Sequence, residues 1–307
     1  MSNITDHDPD FRTYQEGEVL KTSNLFGIEV ELEDVNLGLN FKRNKGGKYW
    51  SIKSDDSLRG PHAFEFVTKL PLSGMDLEKA LAEFKKEIIS ANPSSRCSVH
   101  IHIDVRAWTI EHFRSFVLHY LALERLLVKV SGNREENIFC WPFYRSGTKE
   151  LLADAISRSK KKVSMLNNLL SKYTGLNFIS IHDLGSLEVR IHKGEVETSA
   201  ILRWLQILSC LVEYTRQEHQ HIEDLPEFYS GNGPIEFLHR IFGPLADELM
   251  YNQVGSDLLN GIREVQDVVR MDKLSYFKLH FPIQERLCCK EGEKSLFDLI
   301  VKKKESN

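Results

Sequence analysis

Three short segments of the chain alternate between apolar and polar residues, which is the pattern of a β-strand with one buried face. They read FGIEVELE at residues 26–33, CSVHIHID at residues 97–104 and SLEVRIH at residues 186–192. We predict that their apolar positions face the core: Ile28, Val30, Leu32, Val99, Ile101, Ile103, Leu187, Val189 and Ile191.

The other face of the same three strands carries charged and imidazole side chains. If the strands share one sheet, these groups converge on one surface and repel one another unless cations lie between them. The pattern therefore predicts a metal-dependent active site formed from Glu29, Glu31, Glu33, His100, His102, Asp104, Glu188, Arg190 and His192.

The remaining pattern predicts additional strands near residues 48–53 and 63–69, with Gly46 and Gly47 as a hairpin turn. Residues 176–182 and 186–192 are predicted to form two strands of another hairpin. A helix is predicted over residues 76–91 with Asp76 as its N-cap, and a longer one between Thr109 and Gly132. Beyond Pro226 we predict further helices, broken at residues 231–234, at 243–244 and at Pro282.

This distribution predicts three regions: a polar N-terminal arm at residues 1–22, a catalytic domain at 23–224 and a helical C-terminal region at 225–307. The C-terminal region contains none of the alternating polar triplets. We therefore expect it to act as scaffold or partner surface.

Composition narrows the function classes. The 307 residues are 41% hydrophobic and 27% charged, with a formal net charge of −4. A mild acidic excess gives no support for nucleic acid as a partner, and no apolar run reaches the length of a membrane span. The polar N-terminus is unlike a secretory signal, and the five cysteines contain no CxxC pair. These features predict a soluble, cytoplasmic protein with no membrane partner.

The candidate ligands allow several interpretations. A Glu29 and Glu31 pair alone is typical of a solvated strand edge, whereas two imidazoles at His100 and His102 are more specific. Carboxylates with a histidine suit Mg²⁺ or Mn²⁺, while Cys97 with both histidines would suit zinc, and a pair of surface histidines is the third interpretation.

Other residues extend the candidate site. Arg190 either forms an ion pair with Glu188 or holds phosphate oxygens by its planar fork. Glu65 lies between two phenylalanines and needs a partner, for which a metal is suitable. The loop of Asp55, Asp56 and Ser57 either binds substrate or caps a turn. The chain has no GxxxxGK[ST] or GxGxxG loop, so any ATP must be held by metals and sheet residues.

Taken together, FGIEVELE, SDDSL, FEFVTKLPL, CSVHIHID and LNFISIHDLGSLEVRIHKG occur in the order and rough spacing of the amidoligase family. The resemblance covers about residues 25–214. Members of this family are carboxylate-amine ligases related to glutamine synthetase and the glutamate-cysteine ligases.

The resemblance implies an α+β fold with a curved, mostly antiparallel, glutamine-synthetase-like sheet and helices on its outer face. It also implies ATP and Mg²⁺ (or Mn²⁺) as cofactors and an acyl-phosphate intermediate that an amine converts to an amide. By motif position, the implied metal ligands are Glu29, Glu31, Glu65, His100 and Glu188. His102 and Arg190 match catalytic, phosphate-contacting groups, and Asp55, Asp56 and Ser57 match a substrate loop in which Asp56 replaces a common glycine.

The leading hypothesis is therefore an ATP- and Mg²⁺-dependent amide-forming ligase acting on small-molecule or peptide carboxylates and amines. A homo-oligomer is one of the partner hypotheses. One alternative is a catalytically inactive interaction protein on the same fold. The other is a zinc-dependent hydrolase that uses Cys97, His100 and His102.

Overall fold

The computed structural model describes residues 24–145, 148–159, 172–217 and 225–280. The predicted N-terminal arm and the break at Pro282 lie outside these residues. Residues up to 272 belong to one compact unit, and residues 273–307 form a second, of which only the helical residues 273–280 are described.

The described residues form an α+β fold whose centre is a six-stranded sheet. Its strand order is β3-β4-β1-β6-β8-β7, and all neighbouring strands are antiparallel. The predicted antiparallel character is thus confirmed, and the three patterned strands β1, β6 and β8 are adjacent. The six strands are β1 (Phe26–Leu32), β3 (Trp50–Lys53), β4 (Phe64–Thr68), β6 (Ser98–Asp104), β7 (Leu176–Asn177) and β8 (Ser186–Lys193); β2 (Asn36–Leu37) and β5 (Ile88–Ser90) form a separate pair.

Helices account for most of the remaining described structure. None of those in the described ranges is both long enough and apolar enough to cross a membrane. They are α1 (Leu39–Arg43), α2 (Gly74–Glu87), α3 (Ile110–Val130), α4 (Thr148–Ser159), α5 (Ile179–Leu184), α6 (Thr198–Gln217), α7 (Leu225–Phe242), α8 (Leu245–Glu248) and α9 (Val254–His280).

The apolar face of the sheet is covered by helices. All nine apolar positions predicted from the three patterned strands are buried, with at most 1% of each residue exposed. On the β3 side, Trp50 donates its indole N–H to the Ala80 carbonyl of α2 at 2.7 Å, and Phe66 packs edge-on against Phe84. The alternation therefore identified the core face correctly.

Helix α3 begins where the sequence predicts. The Thr109 hydroxyl accepts a hydrogen bond from the backbone N–H of His112 at 3.1 Å, which satisfies one of the unpaired donors of the first turn. Gly132, just beyond the helix end, has a φ of 108° that suits glycine. The predicted breaks at residues 231–234 and 243–244 also occur, with Gly233 and Gly243 at positive φ.

Helix α9 packs closely on α3. A Cβ atom at Gly261 would lie 2.0 Å from the Ala122 carbonyl oxygen, so the two backbones approach at that point. Nearby, Lys129 pairs with Asp257 at 2.6 Å and Arg125 with Glu264 at 3.1 Å. The C-terminal helices up to residue 272 are thus part of the same core.

Two predicted elements differ in the structure. The predicted hairpin turn at Gly46 and Gly47 follows the short helix α1 and not a strand, although Gly46 still bridges to Ser51. The predicted strand at residues 176–182 is a two-residue strand followed by α5. Asn177 accepts from the Ile179 N–H at 2.9 Å, and this local hydrogen bond turns the chain out of the strand.

Helix α2 begins and ends earlier than predicted. Its N-cap is Ser73 instead of Asp76, which lies in the first turn. The helix ends at Glu87, because the β-branched residues Ile88 and Ile89 continue as β5 and pair with β2.

Both edges of the six-stranded sheet are covered by other backbone. Beside β3, Ile52 donates to the Lys45 carbonyl at 3.0 Å, and Gly47 donates to the Trp50 carbonyl at 3.0 Å. Just before β7, Gly175 donates to the Trp141 carbonyl at 2.8 Å, and Trp141 donates to the Tyr173 carbonyl at 2.7 Å. These contacts occupy groups that an edge strand otherwise leaves unpaired.

Candidate metal centre

The register of the central strands brings the predicted ligands together. Across neighbouring strands, Glu29 lies opposite His100, Glu31 opposite Glu65, and His102 opposite Glu188. All six face away from the apolar core, because they alternate with the buried positions. Residues far apart in sequence therefore form one polar surface.

The first group with metal-binding geometry consists of Glu29, His102 and Glu188. One ligand atom from each lies within 4.8 Å of the others. His102 Nε2 is 3.2 Å from Glu29 Oε1, and His100 Nδ1 is 3.3 Å from both Glu29 Oε2 and Glu188 Oε1. Both histidines thus contact these carboxylates. His102 is therefore as well positioned to bind a metal ion as His100, which was the predicted ligand.

The second group consists of Glu31, Asp55 and Glu65, again with ligand atoms within 4.8 Å of one another. Asp55 comes from the loop between β3 and β4, which was predicted to contact substrate. Its side chain also accepts from the Ser57 N–H at 2.5 Å, while Asp56 is exposed. The structure therefore brings Asp55 to two of the predicted metal ligands.

The β3–β4 loop is held from outside. Arg96 donates from its guanidinium to the Ser57 carbonyl, with the Nε contact at 2.7 Å, and the Arg59 N–H donates to Glu33 at 2.7 Å. These contacts keep Asp55 beside the sheet.

Neighbouring opposite charges shift the pKa values of the residues in the first group. Burial alone would raise the pKa of Glu29, but the neighbouring His102 and His100 outweigh burial and hold this pKa well below its usual range. The pKa of Glu188 is lowered in the same way: burial would raise it, and His102, His100 and Arg190 outweigh burial. Burial would lower the pKa of His102, but the carboxylates of Glu29 and Glu188 raise it.

The second group is short of positive charge. Burial raises the pKa of Glu65 to about 7, and the charge of Glu29 adds to this shift. Three carboxyl groups whose oxygens lie within 4.8 Å of one another repel each other when all are ionised, unless a cation binds between them. Oxygen donors are also what Mg²⁺ and Mn²⁺ prefer. The donor set of Glu31, Asp55 and Glu65 thus fits a hard divalent ion.

Hydrogen bonds to Ser98 give a second indication of a cation. Ser98 Oγ donates to Glu31, so it accepts from His100 Nε2, which lies 2.7 Å away. His100 Nδ1 then faces the carboxylates of Glu29 and Glu188, where either a second ring proton or a metal ion would satisfy it. His102 Nε2 is likewise buried; among the described residues it approaches Glu29 Oε1 at 3.2 Å, but without the angles of a regular hydrogen bond.

Arg190 lies at the border of the first group. Its Nη1 donates to Glu188, and its Nε donates to the Phe139 carbonyl at 3.5 Å. From the sequence, Arg190 was expected either to pair with Glu188 or to bind phosphate oxygens. The structure contains the ion pair, and phosphate binding stays a prediction.

Phe139 belongs to the loop of residues 133–145, which is anchored at both ends. At its start, Arg134 donates to the His192 carbonyl at 3.0 Å. At its end, the Tyr144 N–H donates at 3.2 Å to Glu124, whose carboxylate is fully buried. Burial raises the pKa of Glu124 to about 8.

Sequence reasoning missed several supporting residues. Ser98 and Ser186 lie on the polar face of β6 and β8, so the alternation could have identified them; Ser186 Oγ is 2.9 Å from His102 Nδ1. Asn177 donates to Glu188 at 2.6 Å, but the strand predicted around it gave no sign of this contact. Arg134 had no signal in the pattern.

His192 is a correction to the predicted site. Val99 pairs with His192 but Ile101 pairs with Val189, so β8 contains one extra residue at this point. Such a bulge changes which face the following side chain takes. The His192 ring lies 5.4 Å from the ring of Trp204 in α6, on the helical side of the sheet.

The zinc interpretation required Cys97 to join His100 and His102. Cys97 is buried, and its sulfur lies 3.8 Å from Ser94 Oγ. Among the described residues, neither group with metal-binding geometry includes Cys97.

Carboxylates and imidazoles that converge on the polar face of an antiparallel sheet define a candidate metal-dependent enzyme. A protein-family model described as "Putative amidoligase enzyme" matches residues 22–212, which is more than half of the chain. The chain therefore belongs to this amidoligase family, whose name denotes ligases that form amide bonds. No curated protein matches the chain.

Proposed function

We propose that the chain is an ATP- and Mg²⁺-dependent ligase that joins a carboxylate to an amine. The observation that carries this proposal is the meeting of two carboxylate-rich groups on one polar face, around Glu29 and Glu31. Family membership supplies the reaction class, amide formation. The carboxylate groups supply a reason for divalent ions, since phosphate and carboxylate substrates would otherwise be repelled from this surface.

In this proposal Glu29, Glu31, Glu65, His100 and Glu188 hold the divalent ions. The structure adds Asp55 and His102 as candidates, because both lie in the ligand groups. Bound Mg²⁺ would neutralise the charge of phosphate oxygens and of the reacting carboxylate. Ser98, Ser186 and Asn177 orient the ligands through hydrogen bonds to Glu31, His102 and Glu188.

The proposed reaction has two steps. A substrate carboxylate oxygen attacks the γ-phosphorus of ATP, and the bond to ADP breaks to give an acyl phosphate. The amine nitrogen then attacks the acyl carbon, inorganic phosphate leaves, and the nitrogen loses a proton. In this proposal Arg190 binds an oxygen of the transferred phosphoryl group. Its position beside the proposed ligand Glu188, to which its Nη1 donates, supports this role.

An assay of ADP and phosphate release tests the proposal. The purified chain is incubated with ATP, Mg²⁺ and a panel of carboxylates and amines. We expect release that depends on both substrates and falls at least about a hundredfold in Glu31→Ala, because loss of this carboxylate removes a ligand that Ser98 orients. Glu236→Ala, which removes an exposed carboxylate on α7, is the matched control and should keep full activity.

Turnover that survives Glu31→Ala would contradict the assignment. Calorimetry distinguishes the inactive alternative: a chain without Mg²⁺-dependent ATP binding would be an interaction protein. Stoichiometric zinc in metal analysis would instead favour the hydrolase.

A further inference from the structure

A cluster of cations borders the candidate metal centre on its β3 side. Residues 35–54 contain five Lys or Arg residues and no Asp or Glu, although the whole chain has a net charge of −4. Lys69 joins them, because its Nζ donates to the Gly47 carbonyl in the same turn. We call this cluster the basic rim; its members are Lys42, Arg43, Lys45, Lys48, Lys53 and Lys69.

The basic rim is exposed and forms no close ion pair among the described residues, although Lys53 interacts through space with Glu65, and Lys48 with Asp76 and Glu83. All six side chains are exposed, and within the described ranges none of them forms an ion pair. Glu83 accepts from the backbone N–H groups of Lys48 and Tyr49 at 2.7 and 2.8 Å, and its charge acts on Lys48. The positive charge that the rim offers to a ligand therefore comes mainly from Lys42, Arg43 and Lys45, which form no ion pair among the described residues.

The strand register connects the rim to the metal centre. Glu31 lies opposite Glu65 in the next strand, and Glu65 lies opposite Lys53 in the strand after it. With neighbouring strands about 4.8 Å apart, the Cα atoms of Lys53 and Glu31 are about 10 Å apart. Lys45 lies one step further out, because its carbonyl accepts from Ile52 of β3.

From this arrangement we infer that the carboxylate substrate is an acidic peptide whose further carboxylates bind the basic rim. The inference rests on the proposed ligase function. One carboxyl group would react at the Glu31 side while others reach Lys53 and Lys45; an extended chain covers about 3.3 Å per residue, so about five residues span this distance. A single-stranded nucleic acid matches the rim charge but has no carboxylate to ligate.

Binding of a labelled peptide tests the inference without requiring ligase activity. Fluorescence anisotropy measures the affinity of fluorescein-labelled hexaglutamate for the full chain, at low salt and without ATP. The rim variant is Lys42→Ala/Arg43→Ala/Lys45→Ala, which leaves Lys53 and the carboxylate groups intact. Its control, Arg240→Ala/Arg263→Ala/Arg270→Ala, removes three exposed cations from α7 and α9.

We expect the dissociation constant for hexaglutamate to rise roughly tenfold in the rim variant and less than about twofold in the control. Hexaglutamine, which has no side-chain charge, should bind neither the original chain nor the variants. Added salt should weaken hexaglutamate binding. Circular dichroism shows whether both variants are folded, as expected for exposed positions.

Three results would overturn the inference: no binding of hexaglutamate, equal weakening in both variants, or a hexathymidylate strand bound as tightly as the peptide. The last result would assign the rim to nucleic acid. A chain that binds hexaglutamate through the rim but does not hydrolyse ATP with any substrate would refute only the ligase proposal.

Discussion

At the scale of single residues, Glu124 shows how burial changes the ionisation of a carboxyl group outside the metal centre. Burial raises its pKa to about 8, so the folded chain binds a proton that the unfolded chain releases near pH 4.5. Stability contributed by this group is therefore present at low pH and is lost as pH rises towards 8.

We predict that Glu124→Gln removes part of this pH dependence. Between pH 5 and pH 8 the free energy of unfolding of the original chain should fall by about 3 kcal/mol more than that of the variant. Urea unfolding of both proteins at several pH values measures the difference. Parallel curves for the two proteins would show that Glu124 ionises as freely in the folded state as in the unfolded state.

The sequence specified most site residues individually, because strand alternation assigns a face to each side chain. Glu29, Glu31, His100, His102 and Glu188 all lie where the period of two places them. The bulge in β8 escaped prediction, since an extra residue leaves no trace in composition. His192 consequently lies against Trp204 and not at the site.

At the scale of elements, the crossing of α3 and α9 depends on one glycine. We predict that Gly261→Ala lowers the free energy of unfolding, although alanine normally stabilises a helix relative to glycine by about 1 kcal/mol. The added methyl group would meet the Ala122 carbonyl at 2.0 Å, and such overpacking costs roughly 1–3 kcal/mol.

Gly255 is the matched control in the same helix, because an added Cβ there meets nothing within 4 Å. Gly255→Ala should leave the unfolding free energy unchanged or raise it by up to about 1 kcal/mol. Urea denaturation of both variants provides the comparison. If Gly261→Ala is as stable as Gly255→Ala, the two helices do not approach as closely as described.

Secondary structure was predicted correctly where the sequence contains a capping residue followed by a long stretch of regular apolar spacing. Thr109 and the apolar spacing that follows it specify α3 correctly. Residues 176–182 were harder, because LNFISIH contains strand-forming residues while the deciding interaction is a side-chain hydrogen bond from Ile179 to Asn177. Local polar contacts of this kind depend on conformation and are not visible in hydrophobic periodicity.

At the scale of the whole molecule, the proposed metal centre connects charge repulsion to global stability. Without divalent ions, Glu31, Asp55 and Glu65 repel one another in the folded state only, where they are held together. We predict that Glu65→Gln raises the melting temperature in a chelator-treated sample at about pH 8, above the Glu65 pKa of about 7, because it then removes one of these charges.

With saturating Mg²⁺ or Mn²⁺ the original chain should instead have the higher melting temperature of the two proteins. Ion binding to the folded chain should raise the melting temperature of the original protein by about 3–8 °C, and Glu65→Gln should lose most of this rise. Calorimetry with and without the ion measures both effects, and Glu236→Gln is the control that should respond like the original chain. If the ion raises the melting temperature of Glu65→Gln as much as that of the original chain, Glu65 does not bind the ion.

The covered margins of the central sheet also bear on self-association. Many β-rich proteins polymerise when the outermost strand of one copy hydrogen-bonds to that of another. Here the Lys45 and Gly47 backbone blocks such docking beside β3, and Trp141 blocks it beside the short β7. Copies of this chain should therefore resist fibril growth through these two margins.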